Sequence, residues 1–473
     1  MFGGLTRTSS RIAIAAAFGL TLGVYAMSTP AKAADLGGDC CADLEERVAE
    51  LEATTVRKGN KKVSVTLSGW VVKTMNWWDD GGGGNFAVGD KDADLASRFA
   101  ITGSATIAPG WSAGYNLTIT APDDTFGILS NQFDDIQGVN SDINTLYSYI
   151  YVKSDTYGAL NWGTLSPASD NAAVLADISG TVIESNAVWF EGSGFFLRPS
   201  GGGGLSGLTW LDFLGDYCPG GVGADCFGAP RPAVRYDSPT FGGFRMETSY
   251  GTVRGSGVTA SDSNFWDIAA FYNGDWGNFK VSAAYAFTWT ETAAGTSAGV
   301  FAGDNNAHQA GATVMHVPSG LGLYGEWEYQ DPNTLGISTT DIWYLKPFIK
   351  RSWNPLGATI LYGEYGQYND MYGAVAGVDM CALGAFGAGT NVGGFCGINP
   401  GVNTVTVTGS EMERWGLGVV QEVDAAAMHL FARWQHQDAT VDFVGTNVNG
   451  VTSNVNQSFE DWDLFQVGGI IFF

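Results

Sequence analysis

Gly295-Thr296-Ser297-Ala298-Gly299 has the Gly-x-Ser-x-Gly spacing of a serine-hydrolase elbow. That chemistry needs a strand–turn–helix around the serine and a histidine to accept its proton. The pentapeptide lies in an irregular Ala- and Gly-rich stretch with no histidine beside it, so the spacing carries no catalysis. Gly202, Gly204 and Gly207 match a dinucleotide fingerprint, but inside a glycine tract with no helix to hold a pyrophosphate. Asp90, Asp92 and Asp94 open like a calcium loop. Leu95 then stands where glycine is required and Ile101 where a bidentate carboxylate is required. His308, His316, His429 and His436 make no ligand cluster with the cysteines. No cofactor, no metal and no catalytic residue is expected.

The charge balance narrows the partners. The 473 residues carry 23 basic and 48 acidic side chains, a net charge of −25. Nucleic acid is excluded, because binding it needs clustered Lys and Arg to replace counterions. Only 15% of residues are charged, 13% are aromatic, and the 67 glycines are about twice the usual share. A chain this aromatic is not disordered. Mean hydropathy is nonetheless near zero, and beyond the N-terminus no segment approaches the roughly 18 apolar residues of a membrane helix.

The N-terminus reads as an export signal. Arg7 and Arg11 precede an uncharged apolar run of 15 residues, Ile12 to Ala26, and Ala31-Lys32-Ala33 offers small residues to a signal peptidase. Cleavage after Ala33 would leave a chain of net charge −28, because residues 1–33 hold three bases and no acid. Export suits the cysteines. Cys218 and Cys226, and Cys381 and Cys396, fall in Gly-rich segments at spacings unlike metal knuckles, and read as two local disulfides, with free thiols as the other reading. Adjacent Cys40 and Cys41 could pair between chains.

Residues 34–62 form a separate segment. Within it Cys41, Leu44, Val48, Leu51 and Thr55 make a heptad seam, which predicts a short periplasmic helix followed by a basic linker through Lys62. Such a helix would self-associate or pack on a larger assembly; a solvated tether is the alternative.

From Val63 the period becomes two. Trp111, Ala113, Tyr115, Leu117 and Ile119 alternate with Ser112, Gly114, Asn116, Thr118 and Thr120. Phe279, Val281, Tyr285, Phe287 and Trp289 oppose Lys280, Ser282, Thr288 and Thr290. Connections alternate between short turns, as at Ala108–Gly110 and Asn273–Gly277, and long loops. Strands of about 10 to 13 residues exceed those of soluble sheets and match a tilted bilayer crossing. Aromatic residues gather near strand ends, as at membrane interfaces. The expectation is an all-β, transmembrane antiparallel β-barrel over residues 63–473, in the bacterial outer membrane among lipid and lipopolysaccharide. Nine long loops, at 79–94, 121–142, 165–185, 215–231, 253–263, 291–306, 330–340, 369–409 and 439–457, give 18 strands; one misread hairpin would give 16. The chain ends in a strand finishing on Phe473, which resembles the terminal signal of such barrels.

With these features placed, the chain resembles the porins of alphaproteobacteria, the rhizobial and Brucella-type family. The block from Ala34-Asp35-Leu36-Gly37-Gly38 through Cys40-Cys41 to Glu52 resembles that family's mature N-terminus, and the stretch to Trp70 its first strand. The resemblance implies 16 strands, homotrimers and passive passage of small hydrophilic solutes and ions. Ala34-Asp35 would also allow attachment to peptidoglycan.

The same resemblance implies that the third external loop folds inward as a constriction. Here that loop is about 165–185, with Asp170, Asp177 and Glu184 and no base. Strand parity turns Arg98, Arg414 and Arg433 inward. Lys73 is placed with them although its strand is apolar on both parities. These four are expected to form one basic wall patch at one depth, so that acidic loop against basic wall sets a transverse field. Arg235, Arg245, Lys280, Lys346 and Lys350 are further inward candidates. Two other functions stay open. A sugar-type channel would use an inner aromatic ladder, with Tyr324, Tyr344, Phe348 and Tyr362 at inward parity. A structural barrel tethered to peptidoglycan would conduct nothing. A barrel enzyme would need a serine aligned with His429, and none is evident.

Overall fold

The computed structural model describes residues 62–91, 95–121, 143–186, 192–200, 205, 206, 208–213, 230–252, 264–292, 303–332, 338–372, 405–446 and 452–473. Alternating β-branched and aromatic residues form strands here because each strand meets two different solvents on its two faces. The strands are β1 (Ser64–Asp79), β2 (Gly84–Gly89), β3 (Arg98–Ala108), β4 (Trp111–Thr120), β5 (Asn144–Ser154) and β6 (Gly158–Leu165). After a long connection come β7 (Arg231–Asp237), β8 (Phe244–Thr252), β9 (Asn264–Trp276), β10 (Phe279–Thr292), β11 (Gly303–His316) and β12 (Leu321–Pro332). The wall finishes with β13 (Thr340–Asn354), β14 (Gly357–Asn369), β15 (Val405–Val423), β16 (Met428–Thr446), β17 (Thr452–Ser458) and β18 (Trp462–Phe472).

All pairings are antiparallel, and β1 pairs with β18 from Trp70↔Phe472 to Asp79↔Asp463, which closes the sheet. The 18 segments make 16 crossings. β2 and β3 both lie on one edge of β1, opposite its later and earlier residues. They are one crossing interrupted at 90–97. Likewise β17 and β18 both pair with β16 and are interrupted at 459–461. The nine loops counted from sequence become eight, because the third and fourth merge. Stretches 165–185 and 215–231 are the two ends of a single connection from β6 to β7, and no strand of the wall lies between them among the described residues. Phe195 and Trp210, between these two stretches, belong to a segment packed inside the mouth.

The fold expectation needs a second correction. Among the described residues no helix reaches seven residues. The helical elements are 3-10 turns at Val174–Ala176, Trp210–Phe213 and Asp424–Ala426. The described fold is thus all-β without the expected N-terminal heptad helix, whose stretch, 41–55, lies outside the described residues. Two heptads are marginal in water without a partner. Cys218, Cys226, Cys381 and Cys396 also lie outside the described residues, as do Cys40 and Cys41.

The wall's outer face is apolar and open. Val71, Met75, Ile150, Val234, Val314, Leu323, Leu345, Leu361, Leu417, Leu430 and Ile471 are all exposed. A soluble sandwich would bury this face, and lipid covers it here. Rings share this face with the aliphatic side chains, as in the edge-on pair Trp415 and Trp434 with centroids 4.7 Å apart. Leu417→Arg, mid-wall on this face, should cost about 2–4 kcal/mol of barrel stability, read as a lower denaturant midpoint for the barrel refolded into lipid.

Candidate functional site: the inner wall and the third connection

The inner face carries polar and charged side chains that lipid could not tolerate, and the β6–β7 connection lies on them. Its first pass, residues 166–186, starts where Arg235 on β7 donates to the Ser166 carbonyl at 2.7 Å. The Ala168 amide donates to Ser249 Oγ on β8 at 3.2 Å, and Ser169 donates through its amide and hydroxyl to Asp267 on β9 at 2.9 and 2.8 Å. On β11, Gln309 Oε1 accepts from the Ala173 amide at 3.1 Å, and Thr313 donates to the Ala176 carbonyl at 2.7 Å. The Tyr324 hydroxyl on β12 donates to the Ala173 carbonyl at 3.0 Å. Gly311 explains the close approach. A Cβ there would stand 2.2 Å from the Ala173 carbonyl oxygen.

The far half of this pass is held by ions. Lys346 on β13 lies 2.6 Å from Asp177 Oδ2, with both side chains almost wholly buried, and it also donates to the Ser185 carbonyl. Arg414 on β15 donates to Glu364 Oε2 on β14 at 3.2 Å and to the Asn186 carbonyl. Arg433 on β16 donates to the Glu184 carbonyl and, at 2.7 Å, to Gln435. His429 Nδ1 lies 3.1 Å from Glu184 Oε1. Ser185 Oγ sits 2.8 Å from the Tyr344 hydroxyl and bonds Glu364 as well. That serine is thus committed to Tyr344 and Glu364 and does not address His429. Among the described residues no serine pairs with His429; His316 Nδ1 lies 2.8 Å from Ser319 Oγ, in the short turn after β11.

A second pass, built from residues 192–200, 205, 206 and 208–213, makes an apolar plug. Phe195, Leu197, Leu208, Trp210 and Phe213 join Trp78, Met412, Val441, Phe459, Trp462 and Leu464 in one buried cluster. Phe195 lies edge-on to Trp78 at 4.9 Å and to Trp462 at 5.5 Å. Pro199 bridges to Phe459 at the break in the last crossing, and the Glu460 amide donates to the Arg198 carbonyl at 2.7 Å.

The residues singled out by sequence are distributed as follows. Asp177 and Glu184 meet Lys346 and His429, and Arg414 and Arg433 grip the same stretch of loop. Asp170 is buried in the first pass, beside Asn171. Arg98 faces inward but at another level. It stands opposite Trp70, with its guanidinium 4.4 Å from that ring, whereas Arg433 faces Gln466 and Gln466 faces Asn76. Trp70 and Asn76 are six residues apart on β1, about 20 Å along the strand. Lys73 shares the parity of exposed Val71 and Met75 and bonds Asp90. Arg235 pairs with Asp237 at 2.7 Å, Arg245 with Glu247 at 3.0 Å and Lys350 with Glu422 at 2.7 Å. Lys280 stands opposite Asp275. Tyr324, Tyr344, Phe348 and Tyr362 are buried, the first two bonded to the first pass, so none offers an open ring to a solute. Sequence reasoning missed Glu364 and Asp267. Glu364 shares the parity of Tyr362, which was legible, but its partners lie on other strands and on the loop.

A closed barrel with an apolar exterior, a charged interior and a connection laid along that interior is an outer-membrane channel, not an enzyme. Residues 16–385 match the Gram-negative porin family, and the chain belongs to that family. Comparison with curated proteins finds no significant match. Among solved structures, the anion-selective porin from Comamonas acidovorans is similar, with 18% identity, TM-score 0.52, and coverage of 87% of this chain and 100% of that one. OmpT of Vibrio cholerae gives 13% identity, TM-score 0.47 and coverage of 88% and 99%. Salmonella typhi OmpF gives 12%, 0.46, and 88% and 99%. At these identities the first likeness is one of fold. Among the described residues no group of three or more His, Cys, Asp or Glu is placed to hold a metal.

Lys346→Met should leave the Asp177 carboxylate buried without its ammonium and cost about 3–5 kcal/mol. The double variant Lys346→Met with Asp177→Leu should recover most of that loss. Chemical unfolding of the refolded barrel measures both.

Proposed function

We propose that the first pass of the β6–β7 connection sets the aperture of this outer-membrane channel, so that the open porin passes only small hydrophilic solutes and ions. One observation carries the reading: the backbone of 166–186 is bonded to inward side chains from β7 round to β16. In this reading the acidic loop does not face a basic wall across the lumen. It lies on that wall, and Arg414 and Arg433 position it rather than lining the path.

The N-terminal block from Ala34 to Glu52 supports an alphaproteobacterial lineage, cleavage after Ala33, a homotrimeric assembly and attachment to peptidoglycan through Ala34-Asp35. Disulfides within Cys218/Cys226 and Cys381/Cys396 fit an exported chain.

Planar-bilayer recording tests the proposal. Insertion of the purified protein should give ohmic current in three equal steps per event. Arg414→Gln combined with Arg433→Gln should change the size of each step more than the reversal potential. A shifted reversal potential with unchanged steps would return the two arginines to a selectivity role, and no current at all would sink the aperture reading.

A further inference from the structure

Glu184 lies near the end of the first pass, in a turn where its own amide and that of Ser185 both donate to the Thr181 carbonyl, at 3.1 and 2.7 Å. Its side chain is 1% exposed. Among the described residues its carboxylate has one side-chain partner, His429 Nδ1 on β16 at 3.1 Å. Arg433, two residues further into the wall from Phe431, bonds the Glu184 carbonyl.

Few charges surround His429. Glu422 stands opposite it on β15 and Ile470 on β18, and the Phe472 ring lies 5.1 Å away. Glu422 is itself paired with Lys350 on β13 at 2.7 Å. The charged groups that face the imidazole are therefore Glu184 from the connection and Glu422 and Lys350 from the wall. This arrangement is asymmetric. When the imidazolium loses its proton, Glu422 keeps an ammonium, whereas the Glu184 carboxylate loses the charge it touches. A buried carboxylate stripped of its cation is costly, and hydration relieves it. Behind Glu184 stands the closed wall, with lipid beyond. The water is in front, in the lumen, so the carboxylate moves inward and takes its turn with it. Lys346 and Arg414 hold the adjoining Ser185 and Asn186 carbonyls. The displacement is thereby limited to the turn, and the passage is narrowed rather than shut.

We propose that His429 and Glu184 form a proton-operated latch on the aperture. Imidazolium keeps the turn at 181–185 on the wall and the passage wide, and neutral imidazole releases the turn into the passage. The latch rests on the aperture reading above and adds its regulation. Imidazole exchanges its proton within the ordinary range of environmental pH, so the surroundings of the cell set the state.

The test records current steps of the full-length protein in a planar bilayer in potassium chloride, with both chambers moved from about pH 5.5 to about pH 9 and back. Steps should be larger at the acid end and shrink reversibly at the alkaline end. His429→Gln keeps a donor without the charge, so its steps should be small at both ends and their pH response lost. Glu184→Gln leaves no charge to strand, so its steps should stay large at both ends. A merely structural contact would make the two variants act alike. Three results overturn the latch: steps of the intact protein that ignore pH, a response that survives His429→Gln, or variants that shift the steps in the same direction. Steps that ignore pH but change in the Arg414→Gln, Arg433→Gln variant would defeat the latch and leave the aperture reading standing. Steps that ignore both would strike the aperture reading itself.

Discussion

In hydrocarbon a backbone amide has no water to bond, and an unpaired one costs several kcal/mol. The ladder between β1 and β18 removes the last two open edges of this sheet. At its end Gly69 and Phe473 exchange both backbone hydrogen bonds, at 2.8 and 3.0 Å. The division of faces follows from this closure. A closed wall has one side in lipid and one in water, and the alternation of side chains sorts itself accordingly. The aromatic content sits largely on the outer face and the mouth plug. The near-zero mean hydropathy is two opposed faces averaged together.

The closed wall creates the second problem, which the β6–β7 connection answers. Lys346, Arg414, Arg433, Glu364 and Asp267 all point inward and become buried once the connection lies over them. Buried ion pairs add little net stability compared with well-packed apolar groups, but breaking one is expensive. Their value here is geometric. Each contact fits only one placement of the loop, so the run of hydrogen bonds and ion pairs from β7 to β16 fixes this segment at a set depth. The aperture is then a property of charge register on the wall as much as of loop sequence.

The wall was largely legible in the sequence, because parity is a local property. Trp415 and Leu417 against Arg414, and the turn at Ala108–Gly110, lie where the pattern places them. The third connection was legible only at its first end. Phe195 and Trp210 lie between its two ends, where the loop count leaves room for two strands, and they pack on the inner wall instead. Lys73 sits on a strand with apolar residues on both parities, so its side was not encoded locally. Arg98 faces inward as its parity implies, yet its depth relative to Arg433 depends on the β1–β18 register, which joins opposite ends of the chain. Pairings such as Asp177 with Lys346 are invisible for the same reason, since nothing near either residue names the other.

The closing ladder has a kinetic consequence. Every other pairing in the wall joins a strand to one nearby in the chain, across a turn or a loop, so hairpins can form in sequence with modest loss of chain entropy. The β1–β18 pairing joins Trp70 to Phe472, about four hundred residues apart. Until the final strand is present, the sheet holds two unpaired edges that can neither rest in lipid nor be left safely in water. Pairing of the eleven residues of β18 with β1 is the step that removes both edges, and it is the pairing with the largest loss of chain entropy in the wall.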